Sequence, residues 1–151
     1  EAQKDWLTGL GASAVVGREE ISAPVQGVLS KSRWAGVVDP VGGPQLGTLL
    51  KSVKYGGGIA LSGFTGGTAF DSTVHPFILR GINLFGIDSV FCPMETRSRV
   101  WKLLGSAWKP ETALSQGLTE CGLSDLPGVL EAILRGKAVG RTLLRLESLS
   151  E

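Results

Sequence analysis

The sequence predicts an α/β fold in which helices cover both faces of a parallel sheet. Three observations carry this prediction: short apolar runs with the length of buried strands, segments whose apolar residues recur at helical spacing, and short glycine-rich connections between them. Strands and helices that alternate in this way form a parallel sheet, because each helix returns the chain to the end at which the previous strand began.

The first part of the chain predicts a helix and then less regular structure. Residues 2–10 place their large apolar side chains at the spacing of a helix's buried stripe, and Gly11 follows as a stop signal. A short strand is expected at 14–16. The stretch 19–31 contains a proline and is compatible with an irregular helix or a turn.

The next part supplies the centre of the predicted sheet. The run 34–38 is apolar and rich in branched residues, which predicts a fully buried strand. A helix then starts at Pro44 and ends before the glycines at 56–58. A second buried strand is expected at 59–62, where the chain enters another glycine-rich loop.

A further helix and strand, at 75–80 and 82–90, complete this alternation. Helices over 95–108 and 126–134 and a strand over 141–146 follow. These last elements need not belong to the parallel sheet.

The composition argues against several kinds of partner. The chain has 151 residues, 42% of them hydrophobic, which is enough for one ordinary core. Lys and Arg total 15 against 14 for Asp and Glu, without any block of like charge, so neither nucleic acid nor a membrane surface is expected as a partner. No apolar stretch approaches the roughly 20 residues that span a bilayer.

The two cysteines and the single histidine form no recognisable metal motif. Cys92, Cys121 and His75 lie far apart in the sequence, so a zinc site is not expected. Nothing indicates a secreted disulfide scaffold, and we therefore expect reduced, partly buried thiols and a cytoplasmic protein. His75 has no recognisable acid or nucleophile partner and is interpreted as structural or exposed.

Two glycine-rich segments are candidates for a ligand-binding loop. Residues 9–14 fit the dinucleotide-binding fingerprint formally, but they close a helix and precede a strand, which is the reverse of the required context. Residues 62–67 are the better candidate, because they follow an apolar strand and ligands of open α/β sheets gather at the carboxyl ends of strands. These glycines, like those at 39–43, could also serve only to turn the chain.

Four segments resemble those of one protein family. They are LGAS at 10–13, WAGVVDPVGG at 34–43, YGGGIALSGFTGG at 55–67 and HPFILRGINLFGIDSV at 75–90. Together they resemble the YhdH-type quinone oxidoreductase and acrylyl-CoA reductase branch of the medium-chain dehydrogenase/reductase superfamily. The likeness continues through the closing segment DLPGVLEAILRGKAVGRTLLRL and so covers nearly the whole chain.

The resemblance implies a zinc-independent, NADPH-dependent reductase of activated carbon–carbon double bonds, such as those of an acrylyl-CoA-like enoyl thioester, a quinone or another enone. In this family a Rossmann domain is flanked on both sides by a GroES-like catalytic domain. The resemblance therefore implies an incomplete Rossmann-type sheet over 1–118, which lacks its first strand and glycine-rich loop, and a helix-strand segment, 119–151, that returns to the catalytic domain. Such a fragment is not expected to be active alone, and its catalytic residues would lie upstream.

The resemblance also implies cofactor-binding residues. Arg18 matches an arginine beside the adenosine phosphate end of NADPH, although a lone arginine in a loop is more often simply solvated. Gly63 and Phe64 match positions over the nicotinamide half. Further matches to cofactor-lining positions are Ile78, Ser89 and Arg141.

Two functions remain open at the level of sequence. One is the reductase, as a homodimer joined through the strand near 82–90, because an apolar edge strand tends to be paired or protected. The other is a non-catalytic interaction or oligomerisation module derived from a Rossmann domain. Composition and spacing do not separate the two.

Overall fold

The computed structural model describes residues 3–146, which fall into two compact units. The sheet unit is Val16–Arg97, and the flanking unit joins the described residues before Val16 to those after Arg97. In chain order the helices and strands are α1 (Lys4–Gly9), α2 (Arg18–Ser22), β1 (Trp34–Asp39), α3 (Pro44–Ser52), β2 (Val53–Leu61), α4 (His75–Arg80), β3 (Asn83–Gly86), α5 (Met94–Leu104), α6 (Glu111–Gln116), β4 (Leu118–Cys121), α7 (Leu126–Leu134) and β5 (Arg141–Leu144).

The sheet unit is built on three parallel strands in the order β1-β2-β3. Ile59, in the central strand β2, is completely buried. Because the strands run in one direction, their carboxyl ends meet at one edge, where Asp39, Leu61 and Gly86 stand side by side. The predicted α/β class with a parallel sheet is confirmed.

The core of the sheet unit forms where α3 packs on the sheet. Pro44 opens α3, where its fixed φ suits a first helical turn, and the leucines that follow share one face of the helix. The buried apolar side chains of this core are Leu46, Leu49, Leu50, Val53, Ile59 and Ile82. Burial of such a side chain stabilises by roughly 1.5–3 kcal/mol, so this cluster fixes α3 and the loop before it against the sheet.

Arg80, at the end of α4, ties that helix to the junction between α3 and β2. Its Nη1 atom donates hydrogen bonds to the carbonyl oxygens of Lys51 (2.8 Å) and Val53 (3.0 Å), and its Nη2 atom donates to that of Ser30. Lys51 lies in the last turn of α3, where carbonyl groups lack helical partners and a cation is favoured. Arg80 thus satisfies backbone groups from three segments.

The expectations for the earliest strands are partly wrong. Residues 34–38 do form a strand, but it is not fully buried: Val37 packs against the core, whereas Val38 lies on the opposite face and is 78% exposed. A run of branched residues predicts a strand without specifying how many of its faces are covered. The stretch 14–16 pairs with no strand in the described part of the chain, and such a short triplet forms no strand without a neighbour to take its hydrogen bonds.

The glycines at 56–58 belong to β2, which starts at Val53 directly after α3 and therefore earlier than predicted. The register between β1 and β2 shifts between Trp34 and Gly36, which marks a bulge in β2. At Gly57 a Cβ atom would stand only 2.4 Å from a carbonyl oxygen of β1. The glycine run that suggested a loop instead allows two strands to approach closely.

The strand expected at 82–90 is also shorter than predicted, because β3 ends at Gly86. The Oδ1 atom of Asp88 accepts hydrogen bonds from the N–H groups of Val90 (2.9 Å) and Phe91 (3.0 Å). This local turn engages amide groups that a longer strand would have offered to a neighbouring strand.

Of the remaining predicted elements, α5 begins in the sheet unit and continues into the flanking unit, and the others belong to the flanking unit. The helix expected at 126–134 is confirmed as α7, and the helix expected at 95–108 is α5, which ends earlier. Strand β5 pairs in parallel with β4 in a separate two-stranded sheet. Beside this sheet Arg145 forms an ion pair with Glu120, and the hydrogen bond to that carboxylate raises the pKa of the arginine.

Candidate functional site

A cleft opens at the carboxyl edge of the three-stranded sheet, which is where ligands of open α/β folds bind. This edge cleft has a volume of about 490 Å³. Its lining residues are Gly42, Gly43, Leu46, Leu61, Ser62, Gly63, Phe64, Gly67, Thr68, Phe70, Gly86, Ile87 and Asp88. Most of them are apolar or glycine, with a few polar groups among them, and this composition suits a small organic ligand.

Two glycine loops border the edge cleft: the first loop, 40–43, follows β1, and the second loop, 62–67, follows β2. Backbone hydrogen bonds join them. The N–H of Ser62 donates to the carbonyl oxygen of Asp39 (2.9 Å), and the N–H of Gly66 donates to that of Val41 (2.7 Å). The two loops therefore form one structure at the edge of the sheet.

The glycines are required where these loops touch. A Cβ atom at Gly63 would lie 2.1 Å from the carbonyl oxygen of Pro40, and one at Gly43 would lie 2.4 Å from that of Gly66. Gly43 also has a φ of +74°, which L side chains rarely adopt. The sequence left two explanations for these glycines, a turn of the chain or a close approach to a ligand. The structure adds a third explanation, which is the close packing of the two loops against each other.

Asp39 anchors the first loop from the last position of β1. It is only 3% exposed, and its Oδ1 atom accepts hydrogen bonds from the N–H groups of Val41 (2.9 Å) and Gly42 (3.0 Å). Its Oδ2 atom is buried and has no hydrogen-bond partner among residues 3–146. Two amide donors on one carboxylate oxygen fix the direction in which the chain leaves the strand.

Gly63 and Phe64 line the edge cleft and have backbone N–H groups without a partner in the described part of the chain. Within residues 3–146 the N–H groups of these two residues donate to no protein acceptor, whereas the N–H of Gly67 donates to the carbonyl oxygen of Phe64 (3.0 Å). The Phe64 side chain is 73% exposed. Donors without protein partners at the margin of an apolar cleft can bind a carbonyl oxygen of a ligand.

The chain beyond β3 forms the other wall of the edge cleft. The N–H of Ile87 donates to the carbonyl oxygen of Leu61 (2.9 Å), which holds this segment against β2 just past the end of β3. Ile87 and Asp88 line the cleft, and Ser89 follows them directly. The carbonyl oxygen of Ser89 accepts a hydrogen bond of 2.7 Å from Nη2 of Arg97.

Arg18 lies in a second cleft, of about 560 Å³, which runs along β1. Thr65 and Gly66 of the second glycine loop line this second cleft, while Gly63 and Phe64 of the same loop line the edge cleft. The structure therefore places the predicted cationic residue and the predicted nicotinamide residues on two clefts that share one loop.

The other predicted residues line neither of these clefts. Ile78 is on α4 and is 74% exposed. Arg141 is exposed at the start of β5 in the flanking unit. His75 is exposed, as expected, and its Nδ1 atom lies 3.0 Å from Oγ1 of Thr73.

Sequence reasoning missed Asp39 and Arg97, which hold the backbone around the site, and Arg80, which holds the opposite end of β2, where that strand begins. A signal existed for Asp39, since an aspartate directly before a glycine-rich turn often accepts hydrogen bonds from the amides that follow. No comparable signal existed for the arginines, because their acceptors are backbone carbonyl groups that any sequence provides.

The described residues contain neither a cluster of metal ligands nor a helix that could span a membrane. Over 3–146 no three or more His, Cys, Asp or Glu side chains come together as metal ligands. In the same range no helix combines the length and apolar character needed to cross a membrane. Cys92 and Cys121 are free, half-buried thiols, as the sequence predicted.

Known proteins resemble the chain closely over part of their length. No family model matches the sequence. YhfP of Bacillus subtilis, which is named provisionally as a quinone oxidoreductase, is 47% identical to this chain over 142 residues. These residues are 94% of this chain and 43% of YhfP. Acrylyl-CoA reductase AcuI of Ruegeria pomeroyi is 43% identical over 140 residues, which are 93% of this chain and 42% of AcuI.

Solved structures match the fold equally well. The crystal structure of YhfP with NAD bound has a TM-score of 0.90 and 46% identity over 97% of this chain and 44% of that one. The structure of YhdH from E. coli K-12 with NADPH bound has a TM-score of 0.85 and 39% identity over 97% of this chain and 45% of that one.

The parallel sheet, the cleft at its carboxyl edge and these structural matches together define a Rossmann-type oxidoreductase fold of the medium-chain dehydrogenase/reductase superfamily. Within that superfamily the chain belongs to the YhdH-type quinone oxidoreductase and acrylyl-CoA reductase family. The chain spans less than half the length of the relatives it matches.

Proposed function

We propose that the intact protein is a zinc-independent, NADPH-dependent reductase of activated carbon–carbon double bonds. The observation that carries the proposal is the edge cleft, with its free amides and apolar lining, in a chain 39% identical to a protein solved with NADPH bound. The acrylyl-CoA reductase among the relatives supports an acrylyl-CoA-like enoyl thioester as substrate, and a quinone or other enone shares its electrophilic β-carbon.

The edge cleft has the groups that a nicotinamide requires. Leu61, Phe70 and Ile87 offer apolar surface to a flat ring, and the free N–H groups of Gly63 and Phe64 can donate to a carboxamide oxygen. When bound, the nicotinamide supplies a hydride to the β-carbon of the substrate, whose α-carbon then takes up a proton. The chain's own contribution is to hold the ring in one orientation and to keep water from the reacting carbon.

Arg18 supports the choice of NADPH over NADH. Arg18 lines the second cleft, which shares the second glycine loop with the edge cleft, and we assign the adenosine end of an extended dinucleotide to this second cleft. A charge-assisted hydrogen bond to a phosphate is worth about 1.5–3 kcal/mol, which corresponds to a preference of at least about tenfold. Ser89, Ile78 and Arg141 belong to the proposed set of cofactor-lining residues through the family resemblance alone, since none of them lines either cleft.

The same proposal includes the domain organisation, the oligomeric state and the cellular location of the intact protein. Residues 1–118 form part of the cofactor domain and residues 119–151 return to a catalytic domain, so that residues 1–151 alone are not active. The intact protein is a homodimer joined near 82–90, where Ile87 and the side chains beyond it are exposed. The free thiols fit the reducing cytoplasm.

The proposal is tested by steady-state kinetics of the intact protein with acrylyl-CoA and with a small quinone. We expect kcat/KM to be at least about tenfold higher with NADPH than with NADH, and a metal chelator should not change it. The variant Arg18→Ala should lose most of this preference for NADPH. Lys54→Ala is the matched control, because Lys54 is exposed in the same unit and lines neither cleft. Equal use of the two cofactors by the parent protein would contradict the proposal.

A further inference from the structure

The connection from β3 to α5, residues 87–93, is held by two side chains. Asp88 accepts hydrogen bonds from two N–H groups of this connection, those of Val90 and Phe91. Arg97, in the first turns of α5, donates from Nη2 to the carbonyl oxygens of Ser89 (2.7 Å) and Val90 (3.4 Å). One side chain thus binds the amides of the turn, and the other binds its carbonyl groups.

Packing within the chain does little to hold the same turn. Val90 is 76% exposed and Phe91 is 83% exposed, and Ser89 is exposed as well. Within one chain, the turn therefore keeps its conformation mainly through its hydrogen bonds. Arg97 is suited to supply them, because it is itself half-buried and its own N–H donates to the carbonyl oxygen of Pro93 (2.9 Å), which begins α5 next to the turn.

The turn matters because its first residues form a wall of the edge cleft. Ile87 and Asp88 both line the cleft, and Ser89, whose carbonyl oxygen accepts the shorter of the two arginine hydrogen bonds, follows them directly. Without Arg97 the carbonyl groups of Ser89 and Val90 would lose these hydrogen bonds. Conformations of the turn in which the cleft wall is displaced would then become populated. A ligand of the cleft would then bind only the fraction of molecules in which the wall is in place.

We propose that Arg97 is a positioning residue for cofactor binding, which acts by holding the 87–93 turn in the shape that completes the edge cleft. This inference rests on the proposed function, since it takes the edge cleft as the nicotinamide site. Arg97 touches neither cofactor nor substrate in this account. Removing its guanidinium lowers the population of the competent turn, and saturating cofactor restores that population.

The test compares Arg97→Gln, Arg97→Lys and Arg99→Gln in the intact protein. Arg99 is a matched control on the same helix, because it is exposed and its side chain makes no hydrogen bond or ion pair within residues 3–146. For Arg97→Gln we expect the KM for NADPH to rise about tenfold while kcat at saturation changes less than about threefold. Arg97→Lys should recover much of the loss, because an ammonium group can still donate to a carbonyl oxygen.

Hydrogen exchange of the 87–93 segment gives a second readout. Without cofactor its amides should exchange faster in Arg97→Gln than in Arg99→Gln, and saturating NADPH should remove the difference. A KM equal to that of Arg99→Gln, or a fall in thermal stability with the KM unchanged, would overturn the positioning role. If the parent does not catalyse NADPH-dependent reduction, the proposed function is refuted. In that case, faster hydrogen exchange in cofactor-free Arg97→Gln would still show that Arg97 stabilises the 87–93 turn.

Discussion

Gly63→Ala tests whether the contact between the two glycine loops shapes the edge cleft. Gly63 has no unusual backbone conformation, so the substitution introduces one methyl group and no φ strain. That methyl carbon would lie 2.1 Å from the carbonyl oxygen of Pro40, 2.9 Å from its carbonyl carbon and 3.3 Å from its Cα. All three are backbone atoms, which cannot move away as a flexible side chain would.

The size of the effect follows from these distances. Ordinary contact for a Cβ atom begins near 3.4 Å, so the loops must separate locally by roughly 1.3 Å. Such a displacement strains the hydrogen bonds from Ser62 to Asp39 and from Gly66 to Val41, each worth about 1 kcal/mol. Overpacking adds about 1–3 kcal/mol, and we therefore expect the free energy of unfolding to fall by about 2–4 kcal/mol.

Urea denaturation of the intact protein measures this change, and NADPH titration followed by nicotinamide fluorescence measures the state of the cleft. Gly128→Ala is the control, because a Cβ at this exposed position in α7 meets no atom within 4 Å. Alanine should stabilise that helix by about 0.5–1 kcal/mol. If Gly63→Ala unfolds within about 0.5 kcal/mol of the parent and binds NADPH equally well, the reasoning about loop packing is wrong.

Two further predictions concern stability and assembly. Arg80→Met should lower the free energy of unfolding by about 2–4 kcal/mol in urea denaturation, because three backbone carbonyl groups lose a charged donor. Arg80→Lys should recover only part of this loss, since an ammonium group lacks the planar fork of a guanidinium. A loss below about 0.5 kcal/mol in Arg80→Met would contradict the role of Arg80. Light scattering should give a dimeric mass for the intact parent and for the control Tyr55→Asp, but a monomeric mass for Phe91→Asp. The reason is that a charge buried in the proposed contact near 82–90 would oppose association. A monomeric parent or a dimeric Phe91→Asp would contradict that contact.

The sequence was sufficient to predict which segments form strands and helices where the apolar pattern was strong. α7 and α4 have the expected bounds, and α3 begins at Pro44 as expected, because helical periodicity and the proline agree there. The limits of strands were less predictable, since they depend on a partner. β2 extends back through glycines that normally signal a loop, and β3 ends early because the carboxylate of Asp88 competes for amide groups.

The site was predictable in its location but not in its construction. An apolar strand followed by glycines indicated the 62–67 loop, which does line a cleft at the carboxyl edge of the sheet. The close packing of that loop on Pro40 could not be foreseen, because the two segments are distant in sequence and meet only through strand order. The role of Arg97 was hidden for the same reason, since its acceptors are backbone carbonyl groups.

The most direct test of the central claim is a crystal structure of the intact protein with NADP⁺ bound. We predict that the nicotinamide ring lies in the edge cleft between Phe64 and Ile87, with its carboxamide oxygen within hydrogen-bond distance of the N–H of Gly63 or Phe64, and with Arg18 at the adenosine end. A cofactor bound elsewhere, with the edge cleft free of the nicotinamide, would contradict the account.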